Sequence, residues 1–303
     1  MLNRVLNEAF EKGKEKTKYG DVATYIPELG KADKNDLGVC ISTQYGMCLS
    51  VGQCEKRFTI QSISKIISFA VALEKLGADK VFERVGMEPS GDAFNSLMKL
   101  EKADSTPHNP MVNAGAMVIC GYLCEICTIE EMVEYARRWC LDDEIYIDES
   151  VFASEMANLS RNRAIAYLLH SKGYITADVE KTLEFYVKMC SLSVTAKSLA
   201  NLGLILACNG VDPKTNEVLL KPSTVKTVNT IMFTCGMYDG AGEFALKVGL
   251  PSKSGVGGGI ISVVKGTMGI GIYGPALDVK GNSIAGIEML QYISEKLNLH
   301  MFG

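Results

Sequence analysis

A serine followed three residues later by a lysine can carry nucleophilic catalysis. On a helix, positions i and i+3 share a face, so the lysine amine reaches the serine hydroxyl. A lysine ordinarily titrates near about 10.4, so at neutral pH only about one in a few thousand is a free base. Burial and nearby positive charge lower that value, and the neutral amine then takes the serine proton. The chain carries this spacing four times, at Ser62/Lys65, Ser96/Lys99, Ser223/Lys226 and Ser262/Lys265. A pattern this frequent is mostly structural, so the elements around each copy must decide between them.

Those elements can be read from hydrophobic periodicity. Leu2, Val5, Leu6, Ala9 and Phe10 have helical spacing, so a surface helix opens the chain. Residues 37–43 and 46–51 read as a hairpin around Gln44-Tyr45-Gly46, and 57–60 as a third short strand. From Ser62 the period becomes helical, with Ile63, Ile66, Ile67, Ala70 and Leu73 on one face. Between about 75 and 235 the patterns are almost all helical, including 129–139, 148–170, 177–190 and 195–208. Strand character returns at 259–265 and 268–273, and 283–297 reads as a closing helix. This order predicts an α+β fold: one antiparallel sheet built from both chain ends, flanked by the terminal helices, with an inserted helical lobe. The expected organisation is a single catalytic domain over 1–303, with a sheet lobe at about 1–75 and 236–303 and a helical lobe at about 76–235.

Context now separates the four serines. Ser262 lies in an expected strand, where residues three apart face opposite ways. Ser96 lies inside an expected helix. Ser223 follows Pro222 and reads as a helix N-cap. Ser62 sits where a short strand turns into an apolar helix, a junction whose backbone N–H groups suit an oxyanion. A capping role remains the structural alternative for Ser62. Two triplets follow in order. Ser160-Arg161-Asn162 is the one Ser-x-Asn and Lys253-Ser254-Gly255 the one Lys-Ser/Thr-Gly. The succession Ser-x-x-Lys, Ser-x-Asn, Lys-Ser/Thr-Gly resembles that of serine β-lactamases and penicillin-binding proteins.

Longer stretches narrow the resemblance. YIPEL at 25–29, FTIQSISK at 58–65, PHNPMVNAGA at 107–116, Glu155 with Asn162, Tyr186 ahead of Cys190-Ser191, GMYDGAGEFA at 236–245 and GLPSKSGVGGGI at 249–260 together resemble the serine-dependent glutaminase family of the bacterial type. The likeness runs in order from about residue 20 to the end. It implies a β-lactamase/transpeptidase-like fold and hydrolysis of L-glutamine to L-glutamate and ammonia through an acyl-enzyme. It implies Ser62 as nucleophile and Lys65 as base, with Tyr25 and Tyr238 as further catalytic hydroxyls. Substrate-binding positions would be Ser62, Asn113, Glu155, Asn162, Tyr186, Tyr238 and the Val256 backbone. No metal or organic cofactor is implied, and a homodimer or homotetramer is.

The chemistry of free glutamine fits these residue types. Its ammonium needs an acceptor, which Glu155 supplies. Its carboxylate needs donors, which Asn113, Asn162 and Tyr186 supply. Holding both ends fixes the side-chain amide at one reach from Ser62. The plain alternatives are a solvated helix face for Glu155, a buried and satisfied amide for Asn113, and half-buried core tyrosines at 186 and 238. Gly255 and Gly257–Gly259 could form a phosphate loop, but no Gly-Lys-Ser/Thr follows and a strand, not a helix, comes next. Cys124-x-x-Cys127 lacks a second pair, and His108, His170 and His300 show no ligand spacing, so a zinc site is not expected.

Composition sets the outer bounds. The chain has 303 residues, 47% hydrophobic and 22% charged, with net charge −4. That excludes a disordered chain and gives no reason to expect nucleic acid, which attracts basic surfaces. Ten scattered cysteines, many inside apolar runs, fit reduced thiols and a cytoplasmic location. The first 20 residues are rich in Lys and Glu, unlike a signal peptide, and no membrane span is expected. Cysteines and N-terminus disfavour a β-lactamase or penicillin-binding enzyme. A non-catalytic sensor of the same fold stays open beside the enzyme.

Overall fold

A computed structural model describes residues 1–90 and 106–303. In the first half the described elements are helix α1 (Leu2–Lys16), strands β1 (Gly38–Thr43), β2 (Cys48–Gly52) and β3 (Phe58–Thr59), then α2 (Ser64–Leu76), α3 (Ala78–Phe82), α4 (Asn113–Ile126) and α5 (Ile129–Cys140). Next come α6 (Glu149–Ala157), α7 (Ser160–Ser171), α8 (Val179–Cys190), β4 (Ser193–Val194) and α9 (Ala196–Ala207). The last stretch holds α10 (Pro222–Cys235), α11 (Ala241–Lys247), β5 (Ser252–Ser254), β6 (Gly259–Val264), β7 (Met268–Tyr273) and α12 (Ile284–Leu297).

Five strands make one antiparallel sheet in the order β2-β1-β7-β6-β5, so its strands come from both chain ends as the pattern predicts. Alternation along the strands divides the core. Val39, Ile41, Ile260, Ile270 and Ile272 join Val5, Leu6 and Ala9 of α1 and Ala285, Met289, Leu290 and Ile293 of α12 on one face. Cys40, Ile261, Val263 and Tyr273 face the other way, into the core that contains α9 and the middle helices. The sequence MGIGIY of β7 explains how α9 gets so close. A Cβ on Gly269 would stand 2.1 Å from the Ala200 carbonyl oxygen, and one on Gly271 would stand 1.9 Å from that of Ala196. The isoleucines of β7 pack on one side while its glycines admit a helix backbone on the other.

Several expectations are corrected. The segment 57–60 does not join the main sheet; β3 pairs instead with β4, a two-residue strand in the gap between two runs read as helical, 177–190 and 195–208. Two residues give no period to detect. The segment 148–170 is two helices, α6 and α7, broken at Asn158 and Leu159. Ser223 is not a cap: Lys221 occupies that position and Pro222 opens α10. Ser262 does lie on a strand, where its hydroxyl meets that of Ser252 at 2.7 Å. Ser96 and Lys99 lie outside the described residues. No helix among the described residues is long and apolar enough to cross a membrane.

The close crossing of α9 over β7 yields a stability test. Gly271→Ala forces backbone apart and should destabilise the protein by about 1–3 kcal/mol. Gly242→Ala, where an added Cβ meets nothing within 4 Å, should stay within about 0.5 kcal/mol of the parent. Urea unfolding midpoints of the two variants make the comparison.

Candidate active site

The approach to Ser62 is held rigidly. Phe58 and Thr59 pair with Val194 and Ser193, and the Ile60 N–H donates to the Leu192 carbonyl at 2.8 Å. Phe58 stacks on Tyr273 of the main sheet at 4.4 Å. Arg57 forks onto Asp142 at 3.0 and 3.3 Å and also donates to the Ser193 carbonyl. Past this clamp, Gln61 takes φ +49°, a left-handed conformation that a non-glycine residue adopts at a cost of about 1–3 kcal/mol. A 3₁₀ turn over Gln61–Ile63 then leads into α2. Ser62 therefore stands in a tight turn at the head of a helix, and its side chain does not cap it. That removes the capping alternative.

Lys65 lies one turn on, 2% exposed. Its amine donates to Ser62 Oγ at 2.9 Å and to Asn113 Oδ1 at 2.8 Å. Asn113 opens α4, and its amide nitrogen donates to Asn162 Oδ1 of α7 at 3.0 Å. Among the described residues no carboxylate lies within ion-pair distance of the Lys65 amine. Burial pushes its pKa down to about 8, against the opposing pull of Cys190 and Glu155. At pH 7 about a tenth of such a lysine is free base, several hundredfold more than for a solvated one.

Tyr238 reaches the same serine from the C-terminal part of the chain. It too has a positive φ, +53°, at the start of a 3₁₀ turn, and it is 7% exposed. Its side chain lies against Ser62 and the backbone of Val256. Burial raises its pKa well above the usual phenol range, so it keeps its proton at neutral pH. Lys253, on edge strand β5, is fully buried; its amine donates to the Ser254 carbonyl at 2.6 Å and sits 4.4 Å above the Tyr238 ring. Burial, and secondarily the positive charge of Lys65, hold Lys253 far below the ordinary lysine value. The glycine run around Val256 packs by backbone against the approach to Ser62. A Cβ on Gly257 would stand 2.4 Å from the Thr59 carbonyl oxygen, and one on Gly255 2.7 Å from that of Ile60.

In front of Ser62 opens a cavity of about 320 Å³ lined by Tyr25, Gln61, Ser62, Asn113, Glu155, Asn158, Arg161, Asn162, Tyr186 and Cys190. Glu155 is 7% exposed, and its Oε2 is buried without a hydrogen-bond partner. Burial pushes its carboxyl up to about 7, opposed by Gln61 and Lys65. Tyr186 of α8 is 4% exposed, with its ring 5.9 Å below the Lys65 amine. Tyr25 is 57% exposed and also borders a neighbouring surface cavity that Val256 helps line, so it stands at the rim. The structure thus gathers all nine residues singled out from the sequence.

It adds residues the sequence reading passed over. Gln61 immediately precedes the nucleophile candidate. Arg161 is the middle residue of the Ser-x-Asn triplet and a formal positive charge at the cavity. Cys190 lies one helical turn beyond Tyr186, a spacing that puts both on one face. Lys253 entered only as part of a pattern, yet it packs on Tyr238. The paired cysteines at 124 and 127 are free thiols, and among the described residues no group of three His, Cys, Asp or Glu could hold a metal.

Comparisons with known proteins identify the family. The family model described as Glutaminase matches residues 20–302. A glutaminase of Clostridioides difficile is 49% identical over 302 residues, 98% of each chain. Glutaminase 2 of Bacillus subtilis is 45% identical over 99% of this chain and 98% of its own. Among solved structures, a Bacillus subtilis glutaminase in covalent complex with 5-oxo-L-norleucine, formed from 6-diazo-5-oxo-L-norleucine, superposes with TM-score 0.90 at 36% identity, covering 99% of both chains. The chain therefore belongs to the glutaminase family.

Proposed function

We propose that this glutaminase works through a Ser62–Lys65 acyl-enzyme. The enzyme hydrolyses L-glutamine to L-glutamate and ammonia. The observation that carries the serine–lysine route is the buried lysine amine 2.9 Å from Ser62 Oγ with its pKa lowered to about 8. The covalent adduct of the Bacillus subtilis relative with a reactive norleucine derivative supports a nucleophilic route.

In this reading the neutral Lys65 amine takes the Ser62 proton as Oγ attacks the side-chain amide carbon. The backbone N–H groups of Ser62 and Val256 receive the developing oxyanion. Tyr238 keeps its proton at rest, so it serves as a relay: it hands a proton to the departing nitrogen and recovers one from the Lys65 ammonium. Ammonia leaves, water attacks the γ-glutamyl ester with Lys65 again as base, and Ser62 is restored. Glu155, with an unsatisfied buried oxygen, receives the substrate ammonium; Asn113, Asn162 and Tyr186 orient the other end. Tyr25 closes the rim. The whole chain acts as one catalytic domain, with the site between a sheet lobe (1–75 and 236–303) and a helical lobe (76–235). A cytoplasmic location and a homodimer or homotetramer complete the proposal, the first supported by ten free thiols.

Three measurements test it. Ser62→Ala should lower glutamine turnover by about 10⁴-fold or more, and glutamine turnover that survives would remove Ser62 from the nucleophile role. Glu155→Gln should raise KM at least about tenfold with a smaller change in kcat, because it weakens a charge-assisted contact made before the chemistry. The pH profile follows from two groups that must both be deprotonated. Lys65 becomes a base as pH rises through about 8, and Glu155 becomes a carboxylate as pH rises through about 7. Log kcat/KM of the free enzyme should therefore fall on acidification from pH 8, with a slope approaching about two below pH 7. A slope of one throughout would mean that only one of them matters.

A further inference from the structure

Away from the active site, two of the ten thiols touch. Cys40 of β1 and Cys48 of β2 lie 3.5 Å apart, sulfur to sulfur. The register makes them diagonal neighbours on one sheet face: Cys48 stands opposite Ser42, and Cys40 opposite Ser50. The pair is unequal. Cys48 is exposed, whereas Cys40 is fully buried. Burial, and secondarily the neighbouring Cys48, hold the Cys40 thiol protonated. The third cysteine nearby does not compete, because Cys54 donates its thiol to the Val39 and Val51 carbonyl oxygens at 3.1 and 2.9 Å. Lys197, held by Glu55 at 3.2 Å, places a positive charge beside both members of the pair. An exposed thiol beside a cation, backed by a second thiol in contact, is the arrangement of an oxidation site with its own resolving partner.

We propose that Cys40 and Cys48 form a modification site for small hydroperoxides, closing to an intramolecular disulfide across the β1–β2 hairpin. In the first step the Cys48 thiolate attacks the peroxide oxygen. The O–O bond breaks, Cys48 becomes a sulfenic acid, and hydroxide leaves as water. In the second step the Cys40 sulfur attacks the Cys48 sulfur; a second water carries off the sulfenic oxygen and the Cys40 proton. Two thiols have then lost two electrons to one peroxide. The sulfurs need to approach by about 1.5 Å to reach bonding distance, which for diagonal strand neighbours about 7–8 Å apart takes a small movement of the edge strand β2 together with side-chain rotation. The product fastens β2, which is paired on one side only as an edge strand of the sheet, to its neighbour.

The reduced enzyme, treated with stoichiometric hydrogen peroxide, should lose two of its ten thiols when counted in denaturant, with a mass decrease of about 2 Da. Peptide mapping should find the segments containing Cys40 and Cys48 joined, and dithiothreitol should separate them. Cys48→Ser, an exposed substitution, should keep all nine remaining thiols at the same dose. Cys40→Ser should halt at a Cys48 sulfenic acid that dimedone traps. The proposal falls if wild-type Cys48 oxidises while Cys40 stays free, if the joined peptides contain other cysteines, or if neither thiol of the pair responds at that dose.

Discussion

The site depends on one buried amine that has no counter-ion among the described residues. Lys65 is enclosed by Ser62, Asn113 and the Tyr186 ring, so its hydrogen bonds go to neutral oxygens. An ammonium in such a place is disfavoured. A pKa lowered from its usual value to about 8 corresponds to about 3 kcal/mol against the charged form. The sign is definite. The unfolded lysine binds its proton more tightly than the folded one, so the folded state bears this penalty in full below about pH 8 and sheds it as pH rises toward about 10.4. Stability spent here produces a base next to a hydroxyl. An acidic partner for Lys65 would relieve the penalty and, by raising the pKa, remove the base.

Holding that amine in register with the serine explains much of the surrounding architecture. Two residues with left-handed backbone, Gln61 and Tyr238, flank Ser62 from opposite ends of the chain. Each is strained by itself and retained by its neighbours. The β3–β4 pair, the Arg57–Asp142 fork and the Phe58–Tyr273 stack fix the strand before Gln61. The glycine run at 255–259 lets a second backbone lie against that strand, which brings Val256 and Tyr238 to the serine. Lys253 fills the space behind Tyr238 with a second desolvated amine. The positive charge of Lys65 further disfavours an ammonium at Lys253.

The sequence made some of this legible and concealed the rest for identifiable reasons. Four of the five strands of the main sheet, β1, β2, β6 and β7, were readable as short β-favouring runs, whereas the three-residue edge strand β5 was too short to announce itself. The helices α5, α8 and α12 were readable from their strong periods. The strand at 57–60 was readable as β3, but β4 and its pairing with β3 were not, since that pairing depends on register between distant segments. The break between α6 and α7 was hidden because Asn158 and Leu159 carry no Gly or Pro signal. At the site, Ser62 and Lys65 followed from spacing and context, but the substrate positions needed the family resemblance. Nothing local says that Glu155 will be buried, or that Asn113 will bridge Lys65 to Asn162. Arg161, Gln61 and Cys190 sat beside recognised residues, and only the three-dimensional cavity distinguishes them from those neighbours.

Glu155 and Lys65 also bear on each other through the substrate. Burial moves the carboxyl up to about 7 and the amine down to about 8, and each favours the charged form of the other. A carboxylate left alone would therefore raise Lys65 and work against the base. An arriving ammonium changes the balance. On the role proposed for Glu155, that ammonium pairs with it, favours its ionised form and offsets its negative field at Lys65. On that reading desolvation remains at Lys65, and a bound substrate that displaces water would add to it and favour the neutral amine beside Ser62. An analogue without the α-ammonium would lose more than one contact. It would leave Glu155 either protonated, with an oxygen still unsatisfied, or charged and opposing the deprotonation of Lys65. On the proposed mechanism, selection for a free amino acid and activation of the serine draw on the same electrostatics.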